Sequence, residues 1–158
     1  MITLQIWVTH TYNWDLTIVL YGPDGSYITL SNKRGGNNAN VFNGTLFTDS
    51  ASNSVSTYSF WNNVIAGPLK PEEPFSSFRG KYPNGKWKLW INDAAISDDG
   101  RLYGSILNIQ GFFFYFFKKK IKLKIFDFNK NNTKRWMFEW KSVWRWRMYF
   151  NKCKNFYM

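Results

Sequence analysis

The sequence has one cysteine, Cys153, and one histidine, His10. The lone cysteine leaves no internal disulfide and no multi-cysteine metal knuckle. The lone histidine excludes multi-histidine metal centres. No apolar run reaches the ~20 residues that a membrane-crossing helix needs. The start, Met1-Ile2-Thr3-Leu4, lacks the basic stretch and long apolar run of a secretory leader. No window between Thr3 and Ile109 sustains a helical period, so a helical bundle is excluded. No G-x-S-x-G or G-T-S nucleophile motif occurs, which removes the usual signs of a serine hydrolase site.

The absences are unevenly spread. All 11 glycines and all five prolines lie within residues 1–111, and residues 112–158 also lack Ala, His and Gln. Residues 1–111 hold eight basic and eight acidic side chains; residues 112–158 hold 13 basic and two acidic, so the whole net charge of +11 sits there. A pI of 9.8 ordinarily points to a polyanionic partner. Here it says nothing about the first 111 residues. The 158 residues therefore divide into a domain, 1–111, and a basic aromatic segment, 112–158.

The domain reads as short strands between turns. Thr3 to Thr9 alternates, with Leu4, Ile6 and Val8 on one face. Leu16-Thr17-Ile18-Val19-Leu20 is an apolar run short enough for a buried strand. Gly22-Pro23-Asp24-Gly25 is a tight turn, since proline presets φ and glycine suits the exit. Ser26 to Leu30 completes a hairpin. A loop over Lys33-Arg34-Gly35-Gly36-Asn37-Asn38 follows, then strands near Val41–Phe47 and Thr57–Trp61. Gly67 to Pro74 holds three prolines and reads as an extended surface crossing. Trp87, Leu89 and Ile91 face inward from a further strand, Asp93 to Gly100 is an acidic turn, and Leu102 to Ile109 is the last strand. Leu16, Ile18, Leu20, Trp87, Leu89, Ile91, Leu107 and Ile109 are the expected core. Many short strands with Gly, Pro and Asn turns predict an all-β sandwich of the jelly-roll kind.

Five motifs in order resemble one family. His10-Thr11-Tyr12 with Asp15-Leu16-Thr17-Ile18 is similar to its H-T-x-x-x-D-L-T-I strand. Gly22-Pro23-Asp24-Gly25 resembles its S-P-S-G turn, and Asn32-Lys33-Arg34-Gly35-Gly36 its Arg-Gly-Gly loop. Asn84-Gly85-Lys86-Trp87-Lys88-Leu89 is similar to its N-G-x-W-x-L segment. Asp93, Asp98, Gly100 and Leu102 fit its D-x-x-x-x-D-x-G-x-L ending. The family is the P domain, or P/Homo B domain, of subtilisin-like proprotein convertases of the kexin and furin type and their bacterial relatives. The resemblance implies a jelly roll that sits C-terminal to a subtilisin-type catalytic domain, its partner. It also implies a role in the folding and activity of that serine endopeptidase, a place in the secretory pathway, and none of the catalytic triad. Two departures stand out. Only nine residues precede His10 where the family has further strands, so the domain reads as N-terminally truncated, short of an edge strand or more. Ser105 stands where the family often has tryptophan.

The chemistry-bearing residues are few. His10, Asp15 and a serine assemble a triad only on paper; the plainer reading is strand-end residues satisfied locally. Asp93, Asp98 and Asp99 cluster in one turn and are candidate calcium ligands, a reading the resemblance supports because some bacterial members bind calcium in this domain. The competing reading is a solvated turn whose carboxylates cap backbone N–H groups. Asn43-Gly44-Thr45 and Asn131-Asn132-Thr133 are glycosylation sequons, and Lys33-Arg34 is a dibasic pair. Tyr12, Trp14 and Trp61 are stacking platforms if the chain is instead a free-standing protein- or carbohydrate-binding module.

The C-terminal segment admits three readings. Trp136, Trp140 and Trp144 recur every fourth residue among basic residues, the pattern of an amphipathic helix on an anionic membrane or of a nucleic-acid strip. Phe, Lys, Asn, Ile and Tyr make up 30 of its 47 residues, and all have codons poor in G and C, as expected for read-through into AT-rich non-coding sequence. That second reading is preferred, with the strand grammar ending at Gly111 and no nucleic-acid partner; contact of the segment with a membrane surface is kept as the lesser reading. The third is that Phe112–Phe117 and Ile121–Phe128 fold back as replacement edge strands.

Overall fold

The computed structural model describes residues 1–95, 97–112, 116–122 and 135–140. Among the described residues ten strands make two sheets. They are β1 (Ile2–His10), β2 (Leu16–Tyr21), β3 (Tyr27–Asn32), β4 (Asn43–Thr48), β5 (Asn53–Ser54), β6 (Leu69–Lys70), β7 (Trp87–Asp93), β8 (Gly100–Phe112), β9 (Phe116–Lys122) and β10 (Arg135–Trp140). One sheet runs β5-β6-β4-β1-β8-β9 and the other β10-β7-β2-β3. All pairs are antiparallel except the short contacts of β6 with β4 and β5. β1 pairs with β8 in one sheet and β2 with β7 in the other. That nesting of early strands with late ones is what a jelly roll wraps into a sandwich.

Period-2 patterning decides which side chains meet between the sheets. Leu4, Ile6 and Val8 of β1 face Leu16, Ile18 and Leu20 of β2 across the core, with Leu89 and Ile91 of β7 and Leu107 and Ile109 of β8. All eight expected core residues are buried. Each such side chain contributes about 1.5–3 kcal/mol on leaving water. Trp87 closes one end: its indole N–H donates to the Pro83 carbonyl at 3.0 Å, and its ring meets Phe78 edge-on at 5.1 Å. The β2–β3 turn forms as the sequence expects. Gly25 has φ +82°, Gly22 N–H donates to Ser26 O at 2.7 Å, and the Ser26 hydroxyl holds the Asp24 carboxyl below its ordinary pKa.

Three expectations change. Thr57–Trp61 is not a strand; its aromatics anchor a loop instead, Phe60 packing edge-on against Phe42 at 5.8 Å. The proline-rich crossing does more than span the surface. Glu72 and Glu73 N–H groups donate to Leu30 and Thr29 carbonyls, and their carboxylates accept Asn32 and Thr29 N–H groups, which covers the outer edge of β3.

The third change concerns the segment after Gly111, where the strand grammar continues. β8 extends to Phe112, β9 pairs with it from Phe112↔Phe116 to Ile106↔Lys122, and β10 pairs with β7 from Trp87↔Trp140 to Asn92↔Arg135. Trp136, Phe138 and Trp140 stand opposite Ile91, Leu89 and Trp87. A spacing of four is even, so it suits one face of a strand as well as a helix, and Phe138 between the two tryptophans completes the alternation. β9 meets part of the replacement-strand reading; residues 113–115 and 123–128 lie outside the described residues, as do Trp144 and Cys153. β1 itself is no edge, since β4 and β8 flank it.

Candidate functional site

The polar groups gather where β1 and β7 end. β1 finishes at His10 and β7 at Asp93, so these two residues bridge the sheets. His10 Nε2 lies 3.3 Å from Asp93 Oδ2, with both side chains sealed from solvent. The contact lacks the alignment of a hydrogen bond. The other ring nitrogen, Nδ1, is 2.7 Å from the Tyr12 carbonyl and accepts the Tyr12 N–H at 3.1 Å. Asp93 Oδ1 accepts Ala95 N–H at 3.1 Å. Gly100 is paired with His10 across β1 and β8. A Cβ there would stand 2.3 Å from His10 Cδ2 and 2.8 Å from the Thr9 carbonyl, so only glycine lets the strand pass the ring.

The turn after β7 is tied to the residue after His10. Asp98 Oδ1 accepts the Thr11 hydroxyl at 2.8 Å, Thr11 N–H donates to Asp99 O at 3.0 Å, and Asp99 N–H donates to Thr11 Oγ1 at 3.1 Å. Asp15 sits close by, and its carboxyl is pushed above the ordinary value, first by burial and then by the Asp98 charge. Asn13, fully buried, donates its amide to the His10 and Asn38 carbonyls. Gly35, at φ +95°, passes so close that a Cβ would lie 2.7 Å from the Asn13 Cβ.

The sequence candidates fall differently from their spacing. Asp93 is committed to His10 inside the sandwich, while Asp98 and Asp99 engage Thr11 at the surface. Among the described residues no group of three or more His, Cys, Asp or Glu side chains is arranged to hold a metal ion. His10 meets Asp93, not Asp15, and both paired side chains are closed off from solvent. Thr45 of the first sequon is buried, its hydroxyl bonded to the Val41 and Ala66 carbonyls; the second sequon lies outside the described residues. Arg34 of the dibasic pair is held by Glu72 at 2.8 Å. Ser105 is buried, with its hydroxyl unpaired.

At the opposite end of β1 a cavity of about 390 Å³ is lined by Met1, Arg79, Lys81, Tyr82 and Trp87. Its charged groups are largely spent on the fold: Lys81 pairs with Asp24 at 3.4 Å, and Asp49 accepts Phe75 and Ser76 N–H groups at 2.8 and 2.9 Å. Tyr12, Trp14 and Trp61 are all exposed. They flank the loop over residues 35–40, to which Trp14 and Asn63 are bonded through Gly36 and Ala39.

The chain is a jelly-roll sandwich whose His10–Asp93 pair is enclosed between its two sheets. The family model of the proprotein convertase P-domain matches residues 1–109, and the chain belongs to that family. No curated protein and no solved structure gives a significant match. The family associates with a catalytic protease domain and is typically secretory. Among the described residues no helix is long and apolar enough to cross a membrane.

The His10–Asp93 partnership is what sequence reasoning missed. The two positions are 83 residues apart, and only their places in two family motifs signalled that both mattered.

Proposed function

We propose that this chain is the accessory P domain of a subtilisin-like serine endopeptidase of the proprotein convertase type. It stabilises and regulates the catalytic domain in the secretory pathway and so serves proteolytic protein processing. The single observation that carries this reading is the family match across residues 1–109, the stretch that holds the core cluster among the described residues. The enclosure of the His10–Asp93 pair supports it, because a general base must come within hydrogen-bond reach of the proton it removes, and a ring sealed from solvent cannot.

The test has two arms. Homogeneous chain incubated with dibasic peptide substrates is expected to show no hydrolysis. Co-expression with a kexin-type catalytic domain deprived of its own P domain is expected to raise the yield of soluble, active protease. Hydrolysis by the chain alone, blocked by a serine-directed inhibitor, would overturn the accessory reading, as would an unchanged protease yield.

A further inference from the structure

The chain between Phe60 and Ala66 is anchored at both ends and displayed in the middle. Phe60 packs against Phe42 and Tyr58. Ala66 is buried, donates its N–H to Val41 O at 2.8 Å, and accepts the Thr45 hydroxyl at 2.6 Å. Between these anchors Trp61, Val64 and Ile65 are 67%, 53% and 55% exposed. The display is fixed by hydrogen bonds. Asn63 N–H donates to Ala39 O at 2.9 Å and Val64 N–H to Trp61 O at 3.1 Å. Asn62 Oδ1 accepts Ala39 N–H at 2.7 Å, and Asn63 Oδ1 accepts Asn40 Nδ2 at 2.9 Å. Asn40 and Asn63 both adopt the left-handed backbone, at φ +59°, that closes these facing loops.

Ile65 carries the surface onto the sheet. It lies over Gly44 of β4, where a Cβ would stand 3.4 Å from Ile65 Cδ1 and 3.7 Å from Trp7 Nε1. Single exposed apolar side chains are ordinary on any surface. Three within five residues, held rigidly and continuous with a half-buried tryptophan, mark an interaction site. Residues 50–69 contain no charged side chain at all. A charged partner surface would be desolvated here without a counter-charge, so the matching surface is apolar and neutral. Val64 and Ile65 present no ring face for a sugar to stack on, which favours protein over glycan.

We infer that Trp61, Val64 and Ile65 form the surface by which this domain grips its catalytic domain. The inference rests on the accessory reading above and adds the place of contact and its chemistry. A rigid aromatic anchor flanked by aliphatics is the make-up of an interface hot spot, and it binds without paying to order a loop.

The experiment co-expresses the tagged full chain with a kexin-type catalytic domain lacking its own P domain and measures the complex recovered on the tag. The Trp61→Ala/Ile65→Ser double variant is expected to lose roughly tenfold or more of the complex, with a thermal midpoint within about 2 °C of the parent. Tyr82→Ala, exposed beside the cavity at the other end of β1, is expected to bind as the parent does. Equal recovery with parent and double variant would overturn the surface and leave the accessory reading standing. No recovery with the parent chain would overturn the accessory reading and the surface with it. A concentration-dependent dimer, or binding to a neutral oligosaccharide, that the double variant abolishes would assign the surface to another occupant and overturn the inference.

Discussion

Gly100 shows how tightly one atom is rationed in this fold. A methyl group at that position would meet both the His10 ring and the Thr9 carbonyl, and the carbonyl cannot move without breaking the β1–β8 pairing. Gly100→Ala is expected to cost about 1–3 kcal/mol, read as a lower denaturant midpoint with an unchanged slope. Asp15 gives the pH dependence. Its folded-state pKa is raised, by burial and then by Asp98. A carboxyl of this kind favours the fold while protonated, at pH values below its unfolded pKa, and loses that contribution as pH rises through its folded pKa. Asp15→Asn is therefore expected to stabilise at pH 7 and to make no difference near pH 3. The gain is on the order of a few tenths of a kcal/mol after solvent screening. Equal stability of the two proteins at both pH values would refute this account of Asp15.

Among the elements, the edges carry the most information. β3 ends its sheet, and the crossing at Glu72 and Glu73 protects it with backbone and carboxylate bonds. Glu72→Ala removes the acceptor of Asn32 N–H and of Arg34 Nε, and is expected to cost about 1–2 kcal/mol. Thermal melts of variant and parent would check it. β9 and β10 cover the outer flanks of β8 and β7 in the same way, although they come from the segment beyond the family match. A chain ending at residue 112 keeps the core cluster of the described residues but leaves the outer edges of β7 and β8 uncovered. Its midpoint is expected to fall by roughly 4–8 °C, about 1 kcal/mol, with its β-sheet circular dichroism retained. An unchanged midpoint would make residues 113–158 a passenger, as their composition alone suggests.

At the scale of the whole molecule, charge and core belong to different halves. Among the described residues the core cluster lies in the neutral domain, while residues 112–158 supply the net charge of +11. The full chain is expected to bind a heparin column at low salt and to elute as salt rises, because its attraction to polyanions is electrostatic and screened. The chain ending at residue 112 is expected to flow through. Retention of the shorter chain would show that the domain itself concentrates positive charge on one surface.

By itself the sequence determined the class of fold, the hairpin turn at Gly22–Gly25, the inward set from Leu16 to Ile109 and the family. Each rests on a local rule: a two-residue period selects a face, proline and glycine select a turn, and ordered motifs survive in the chain. Tertiary structure alone decided which segments became neighbours. It joined His10 to Asp93 and left Asp15 beside Asp98. It turned the spacing of Trp136 and Trp140 into a strand opposite β7, spent Phe60 on an anchor in place of a strand, and left Trp61, Val64 and Ile65 outside. Local periods place a side chain in or out. Which distant strand it meets depends on closing long loops around a shared core, and no window of sequence contains that balance.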